Sequence, residues 1–187
     1  MVSLAALWLP ILAAAVLVFI ASSLLHMVLT YHNADYGKLP SEDKVMNAMR
    51  PFNSPPGDYM MPAPAGAASM KDPEFLARRK RGPIAMMTVW PGGDINMTGQ
   101  LAQWFVFCLV VSLFAAYLTS RALPAGAPYM EAFRFSGTVA FVGYGLALWE
   151  ISIWYRRSWM TTLRSNIDAL IYGLLTGGVF GWLWPQI

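Results

Sequence analysis

Four long apolar segments constrain what this chain can fold into. They cover about residues 4–31, 99–120, 130–155 and 163–184. Each reaches the roughly 20 residues that a helix needs to cross the hydrocarbon core of a membrane. Because backbone groups find no water partners there, such segments are expected to be helices rather than open strands. The sequence therefore predicts an all-α fold, an integral membrane four-helix bundle in which residues 1–187 form a single domain.

The composition agrees with this fold. Charged residues make up 12% of the 187-residue chain, about half the share found in soluble domains. The mean hydropathy of the chain is +0.46. The first apolar segment has no basic residue before it, and it is nearly twice as long as the apolar part of a signal peptide. We therefore interpret it as a retained transmembrane helix.

The distribution of basic residues predicts the orientation. Of the 13 Lys and Arg residues, 11 lie in the first loop (32–98) or between residues 156 and 164. The other two, Arg121 and Arg134, lie on the opposite side of the predicted membrane. Basic loops are retained in the cytoplasm, so the first and third loops are expected to be cytoplasmic and both termini to lie outside.

The first loop is predicted to be partly ordered. Ser41 is expected to cap a short helix that ends near Arg50, and Asp72 a second one that ends at Arg81. The five prolines of residues 51–66 favour extended or turn structure between them. The second helix ends in a basic run, which is expected to bind the headgroups of anionic lipids rather than nucleic acid. The run consists of Arg78, Arg79, Lys80 and Arg81.

Small residues in the last two apolar segments predict close helix packing. Gly173, Gly177 and Gly181 are spaced four residues apart and would form a groove that another helix can approach closely. That helix can belong to the same chain or to a second one. Within the chain, we expect the third segment to supply the opposing face. Its candidate residues are Ser136, Ala140, Gly143 and Ala147.

Three ionisable residues lie within or at the edge of apolar segments, namely His26, Glu150 and Asp168. A charge at the centre of a bilayer costs about 2.5–3.5 kcal/mol on insertion scales, so each residue requires an explanation. All three are predicted at a similar depth, one to two turns from the cytoplasmic surface. They could be structural, with Arg156, Arg157 or Arg164 paired with the carboxylates. Alternatively, they could form a site for a small molecule or for protons.

A metal site is a further alternative around the end of the first helix. His26, His32 and Asp35 are its candidate ligands, and Glu150 or Asp168 from another helix could complete the set. His26 and His32 are six residues apart, so a continuous helix would place them on different faces. They do not match the i, i+4 histidine pair of helical zinc sites.

Catalytic motifs are absent from the sequence. It contains no Walker loop, no GxSxG, no HExxH and no CxxCH. The single cysteine, Cys108, lies in an apolar segment and is expected to be a buried apolar side chain. No catalytic residue is predicted, and no motif identifies a cofactor.

Two stretches resemble a group of uncharacterised bacterial inner-membrane proteins. One runs from Tyr31 to Asp43 (YHNADYGKLPSED), and the other from Asp168 to Pro185 (DALIYGLLTGGVFGWLWP). The similarity spans nearly the whole chain, including the Pro-Gly-Asp-Tyr region around Tyr59. It implies a multi-pass protein of the bacterial inner membrane with this helix layout, in which the termini that the basic residues place outside would be periplasmic. It implies no activity, and no catalytic residue is carried over from it.

These observations favour a non-enzymatic protein, an accessory or structural subunit of a larger membrane complex. Its expected partners are membrane lipids and either other membrane subunits or further copies of itself. The alternative is a small-molecule or proton-coupled carrier, or a metal-binding membrane protein, built on the polar residues near the cytoplasmic side. A metal-linked membrane enzyme that uses His26, His32 and Asp35 is the third hypothesis.

Overall fold

A computed structural model describes residues 2–186, and it is mostly helical. All four apolar segments contain helices. The helices are α1 (Trp8–Met27), α2 (Glu42–Met49), α3 (Pro73–Arg81), α4 (Thr98–Ala122), α5 (Tyr129–Phe141), α6 (Leu148–Tyr155) and α7 (Trp159–Leu183). Two short strands, β1 (Gly57–Met61) and β2 (Ala85–Val89), pair antiparallel. The described residues divide into two compact units, one of residues up to Gly37 and from Asn96 onward, the other of Lys38–Ile95.

Three helical spans are long and apolar enough to cross a membrane: Leu4–Met27, Thr98–Ala122 and Tyr129–Tyr155. The predicted helical fold is therefore confirmed, and three of the four segments form helices that could cross a membrane. Helix α7 is as long as α4, at 25 residues each, but it is not among these three spans, and its first half contains Arg164, Asn166 and Asp168. The fourth crossing stays a prediction.

The first helix ends earlier than predicted. The expected helix continued to residue 31, whereas α1 ends at Met27. Leu29 is extended, with φ −84° and ψ 132°, and a 3₁₀ turn comes next over Thr30–Asp35. This break redirects the chain immediately before Tyr31 and His32.

The third span is helical throughout but irregular. A π turn over Val142–Leu146 separates α5 from α6. Gly145 permits this turn to pack closely, since a Cβ there would lie 2.8 Å from the Ala169 Cβ on α7. A π turn adds a residue to the helix, and the side chains of the next helical segment are therefore rotated by about 100°.

Small residues form much of the interior of the unit that contains the long helices. The fully buried alanines lie on α1, α4 and α5, whereas many large apolar side chains on the same helices are exposed. Close approach of small residues, with large apolar side chains turned outward, is the arrangement of helices packed within lipid. The fully buried alanines are Ala14, Ala15, Ala115, Ala116, Ala132 and Ala140.

Helices α5 and α7 approach each other along the glycines of α7. A Cβ on Gly173 would lie 2.9 Å from the Gly137 carbonyl oxygen, and one on Gly177 would lie 2.7 Å from that of Phe133. A Cβ on Gly181 would lie 2.7 Å from the Tyr129 ring. Real Cβ atoms do not approach other heavy atoms this closely, so these three positions require glycine in this packing.

The predicted opposing face on the third segment was wrong. The α5 residues against the glycine groove are Tyr129, Phe133, Gly137 and Phe141. Gly143 instead faces α4, where an added Cβ would lie 3.2 Å from a methyl group of Val111. Ser136 and Ala140 are buried, and Ala140 packs in the cluster that contains Val111.

The second unit, Lys38–Ile95, contains α2, α3 and the strand pair. The Asp72 side chain accepts hydrogen bonds from the backbone amides of Glu74 and Phe75, as predicted for the cap of α3. Ser41 precedes α2 but does not cap it with its side chain, because its backbone is left-handed at φ 53°. The strand pair, in which Gly57 lies opposite Val89 and Met61 opposite Ala85, was not predicted.

Candidate functional site

The break after α1 brings two histidines together. Since the chain leaves the helix at Met27, the 3₁₀ turn returns His32 towards the last turn of α1. The ring centroids of His26 and His32 are 4.3 Å apart, with the ring planes at 77°. A continuous helix would have separated the two side chains.

His32 lies between two carboxylates. Its Nδ1 is 2.6 Å from Asp35 Oδ2, within the same 3₁₀ turn, and its Nε2 is 2.8 Å from Asp168 Oδ2 on α7. The Asp35 and Asp168 side chains are only 8% and 5% exposed. His32 therefore connects the turn to α7 through two short polar contacts in a largely buried setting.

Arg164 supplies the cation for Asp35. Its guanidinium donates to Asp35 Oδ1 at 2.7 Å. Burial raises the pKa of Asp35, but hydrogen bonds and charge interactions with His32 and Arg164 lower it by more. The pKa of Asp35 is therefore below its usual range. Asp35 is thus a carboxylate at neutral pH. Arg164 and Asp168 are four residues apart on α7, so one face of this helix contacts both ends of the turn.

Tyr31 and His26 complete the surroundings of Asp168. The Tyr31 hydroxyl donates to Asp168 Oδ1, so each carboxylate oxygen has a partner. His26 Nδ1 is 4.0 Å from Asp168 Oδ2, and the His26 side chain is about half exposed. We define the polar cluster as Tyr31, His32, Asp35, Arg164 and Asp168, with His26 at its open side.

The structure separates the predicted group of His26, Glu150 and Asp168. His26 and Asp168 lie together, whereas Glu150 is exposed on α6. Among the described residues, none forms a side-chain hydrogen bond or an ion pair with the Glu150 carboxylate. The predicted pairing of nearby arginines also differs. Arg164 pairs with Asp35 instead of Asp168, and Arg157 lies over the Tyr36 ring at 6.0 Å.

The predicted metal ligands are also rearranged. Of His26, His32 and Asp35, the two histidines group with Asp168, and one potential ligand atom from each of the three lies within 4.8 Å of the others. Asp35 contacts the far nitrogen of His32. The contribution of Tyr31 was missed. Arg164 was expected to pair with a carboxylate, but its partner is Asp35 rather than Glu150 or Asp168.

A further set of polar groups lies deeper in the same unit. Tyr172, one turn after Asp168, stacks edge-on against Tyr144 at 5.2 Å between centroids. The Tyr172 hydroxyl is buried without a hydrogen-bond partner among the described residues, and the buried Tyr144 hydroxyl lies beside the Cys108 thiol. Nearby, the Trp104 indole donates to Ser22 Oγ at 2.7 Å. The interior next to Asp168 is therefore not purely apolar.

The predicted lipid-binding run is solvent-accessible within its own unit. The four basic residues of α3 form its last turn and are all exposed. Leu76 on the same helix is 48% exposed, and Phe75 is buried. Exposed basic side chains beside an exposed leucine are typical of a helix at a membrane surface.

No protein-family model, curated protein or solved structure matches this chain. The resemblance to bacterial inner-membrane proteins therefore stays a prediction.

Proposed function

We propose that this chain is a four-helix protein of the bacterial inner membrane that serves as a non-enzymatic accessory or structural subunit of a larger membrane complex. The fourth crossing would be α7. Its exposed side is apolar, whereas Asp168 is turned inward, with its side chain only 5% exposed. A 25-residue helix is about 37 Å long, enough for a hydrocarbon core of about 30 Å. The exposed large apolar residues of α7 are Trp159, Met160, Leu163, Ile167, Leu170, Leu174 and Trp182.

The observation that carries the subunit role is the exposed apolar surface of the unit Lys38–Ile95. Phe75 is the one buried side chain among its residues, all of which the structure describes. Phe52, Trp90 and Ile95 are 77%, 79% and 92% exposed. A small unit with so little core requires an external surface to order it, and large exposed apolar groups mark such contacts. We infer that another membrane subunit covers them.

Membrane lipids would be the second partner of this unit. The basic last turn of α3 would bind anionic headgroups on the cytoplasmic side, each basic residue contributing about 1 kcal/mol. This placement agrees with the positive-inside orientation, in which Lys38–Ile95 is cytoplasmic and both termini are periplasmic.

The orientation predicts opposite labelling of two engineered cysteines. In a Cys108→Ala background, Ala125→Cys in the second loop should react with a membrane-impermeant maleimide in intact spheroplasts. Ala67→Cys in the first loop should react only after the membrane is permeabilised. Both alanines are exposed, so burial does not prevent labelling. Labelling of Ala67→Cys in intact spheroplasts would overturn the proposed topology.

The subunit role predicts co-purification at fixed stoichiometry from the native membrane in mild detergent. Trp90→Ser should reduce the recovery of partners about tenfold or more, because exposed tryptophans often dominate interfaces. Trp154→Ser is the matched control, since Trp154 is 74% exposed but lies on α6, outside this unit. A particle that contains this chain alone, measured by native mass spectrometry, would contradict the subunit role.

The second candidate function is that of a small-molecule or proton-coupled carrier, or of a metal-binding membrane protein. The observation that favours it is the polar cluster. Two carboxylates and two imidazoles converge there, with His26 exposed enough to admit a ligand. Purely structural polar groups would not require this opening.

A further inference from the structure

We propose that His26, His32 and Asp168 form a binding site for one divalent transition-metal cation such as Zn²⁺. This inference deepens the second candidate function by naming its ligand, and it does not depend on the subunit role. The site would join the end of α1 to α7 through the metal.

The separations of the donor atoms suit one ion. A Zn²⁺ ion bonds imidazole nitrogen and carboxylate oxygen at about 2.0–2.2 Å, which places two tetrahedral ligand atoms about 3.4 Å apart. Here His32 Nε2 is 2.8 Å and His26 Nδ1 is 4.0 Å from the same Asp168 Oδ2. Shifts of less than 1 Å would bring both distances to the value that the ion requires.

The second nitrogen of His32 has the partner that metal-bound histidines usually have. Such residues donate the N–H of their other nitrogen to a carboxylate or carbonyl, which fixes the tautomer and aims the free nitrogen at the metal. His32 Nδ1 is 2.6 Å from Asp35 Oδ2, and Arg164 holds the other oxygen of Asp35 at 2.7 Å. His32 Nε2 is therefore positioned towards His26 and Asp168.

The charge of the cluster also favours a cation. Arg164 balances Asp35, whereas the Asp168 side chain is 5% exposed, accepts a hydrogen bond from the Tyr31 hydroxyl and lies 2.8 Å from His32 Nε2. With neutral imidazoles, Asp168 then carries an uncompensated negative charge in a largely buried position. A bound divalent cation would compensate it. A proton on His32 is the competing compensation, and metal binding would displace it.

The donor set defines the class of metal. Two imidazole nitrogens and one carboxylate oxygen suit Zn²⁺ and related first-row divalent ions, whereas Cu(I) prefers sulfur ligands. Three protein ligands leave a fourth position for water or an exchangeable group. The half-exposed His26 lies on the accessible side, so an ion could enter there without opening the cluster.

The test uses the full chain purified in detergent, stripped with a chelator and titrated with Zn²⁺ against a chromophoric competitor. We expect one Zn²⁺ per chain, and Co²⁺ should give the intense visible absorption of a tetrahedral site. His26→Ala, at a half-exposed position, should lower the affinity at least tenfold while the chain stays folded. Asp35→Asn should lower it about 10–100-fold without changing the stoichiometry.

Glu150→Ala is the matched control, and its affinity should equal that of the wild type. Sub-stoichiometric binding by the folded wild-type chain would overturn the proposal, as would equal affinity of His26→Ala and wild type. These results are independent of co-purification from the native membrane. A chain that keeps its partners but binds no Zn²⁺ would refute the metal site and leave the subunit role standing.

Discussion

Gly177→Ala is expected to destabilise the packed helices by about 1–3 kcal/mol, the usual cost of overpacking a tight contact. The added Cβ would lie 2.7 Å from the Phe133 carbonyl oxygen and 3.0 Å from its ring. The carbonyl belongs to the backbone of α5, so relief requires the two helices to separate. Alanine is favoured over glycine within a helix by about 1 kcal/mol, which reduces the net loss of stability relative to wild type to at most about 2 kcal/mol.

The neighbouring glycine provides the control. A Cβ on Gly178 would meet the Tyr129 hydroxyl at 3.8 Å, an ordinary contact, so Gly178→Ala should be neutral or slightly stabilising. The stability of both variants can be measured by unfolding in detergent, monitored by circular dichroism. Both carry the same Gly-to-Ala change in helix propensity, so the difference between them reports the contact alone. Equal stability of the two variants would contradict the close approach of α5 and α7 at this position.

The glycine spacing made the close packing of α7 predictable, but not the residues opposite it. A regular helix would place Ser136, Ala140, Gly143 and Ala147 along one face. Ala140 and Gly143 do lie on one side, but it packs towards Val111 of α4, whereas the residues opposite the glycines are others of α5. Spacing therefore did not reveal which neighbouring helix each face meets. A π turn over Val142–Leu146 then interrupts the regular helix. No residue pattern in this sequence distinguishes a π turn from a continuous α-helix. Side-chain directions beyond it could therefore not be deduced from spacing.

The same irregularity bears on the candidate site. Depth along the apolar segments brought His26 and Asp168 into one hypothesis, because depth depends only on the distance from the helix end. Glu150 satisfied the same criterion, yet it lies after the π turn and is exposed. The depth of a residue in the membrane is predictable from the sequence. The direction in which its side chain points depends on its angular position around the helix axis, and that position cannot be predicted beyond an irregular turn.

The end of α1 was the other obstacle. Residues 28–36 contain no Gly or Pro, so nothing in the sequence marked a break before His32. The break is nevertheless what brings His32 between Asp35 and Asp168. Contacts made by side chains 137 and 136 residues apart, those of Tyr31 and His32 with Asp168, stabilise a turn that local propensity does not favour.

Arg164→Ala is expected to cost about 2–4 kcal/mol at neutral pH, because it leaves the Asp35 carboxylate buried without its cation. Breaking a buried ion pair on one side costs about 3–5 kcal/mol, and the 21% exposure of Arg164 allows partial screening by water. Arg157→Ala is the control. It removes only a contact with the Tyr36 ring at 6.0 Å, worth about 0.5–1 kcal/mol.

The pH dependence separates lost charge pairing from lost packing. Since the folded pKa of Asp35 is lowered, its contribution to stability is present above the unfolded pKa and is lost as the pH falls through the folded one. Without Arg164, the pKa of Asp35 in the folded protein is lowered by less. The difference in unfolding free energy between wild type and Arg164→Ala should therefore have its full size at pH 7 and become smaller below about pH 4. A difference that stays constant with pH would show that Arg164 acts through packing, and the polar cluster would then lose its electrostatic basis.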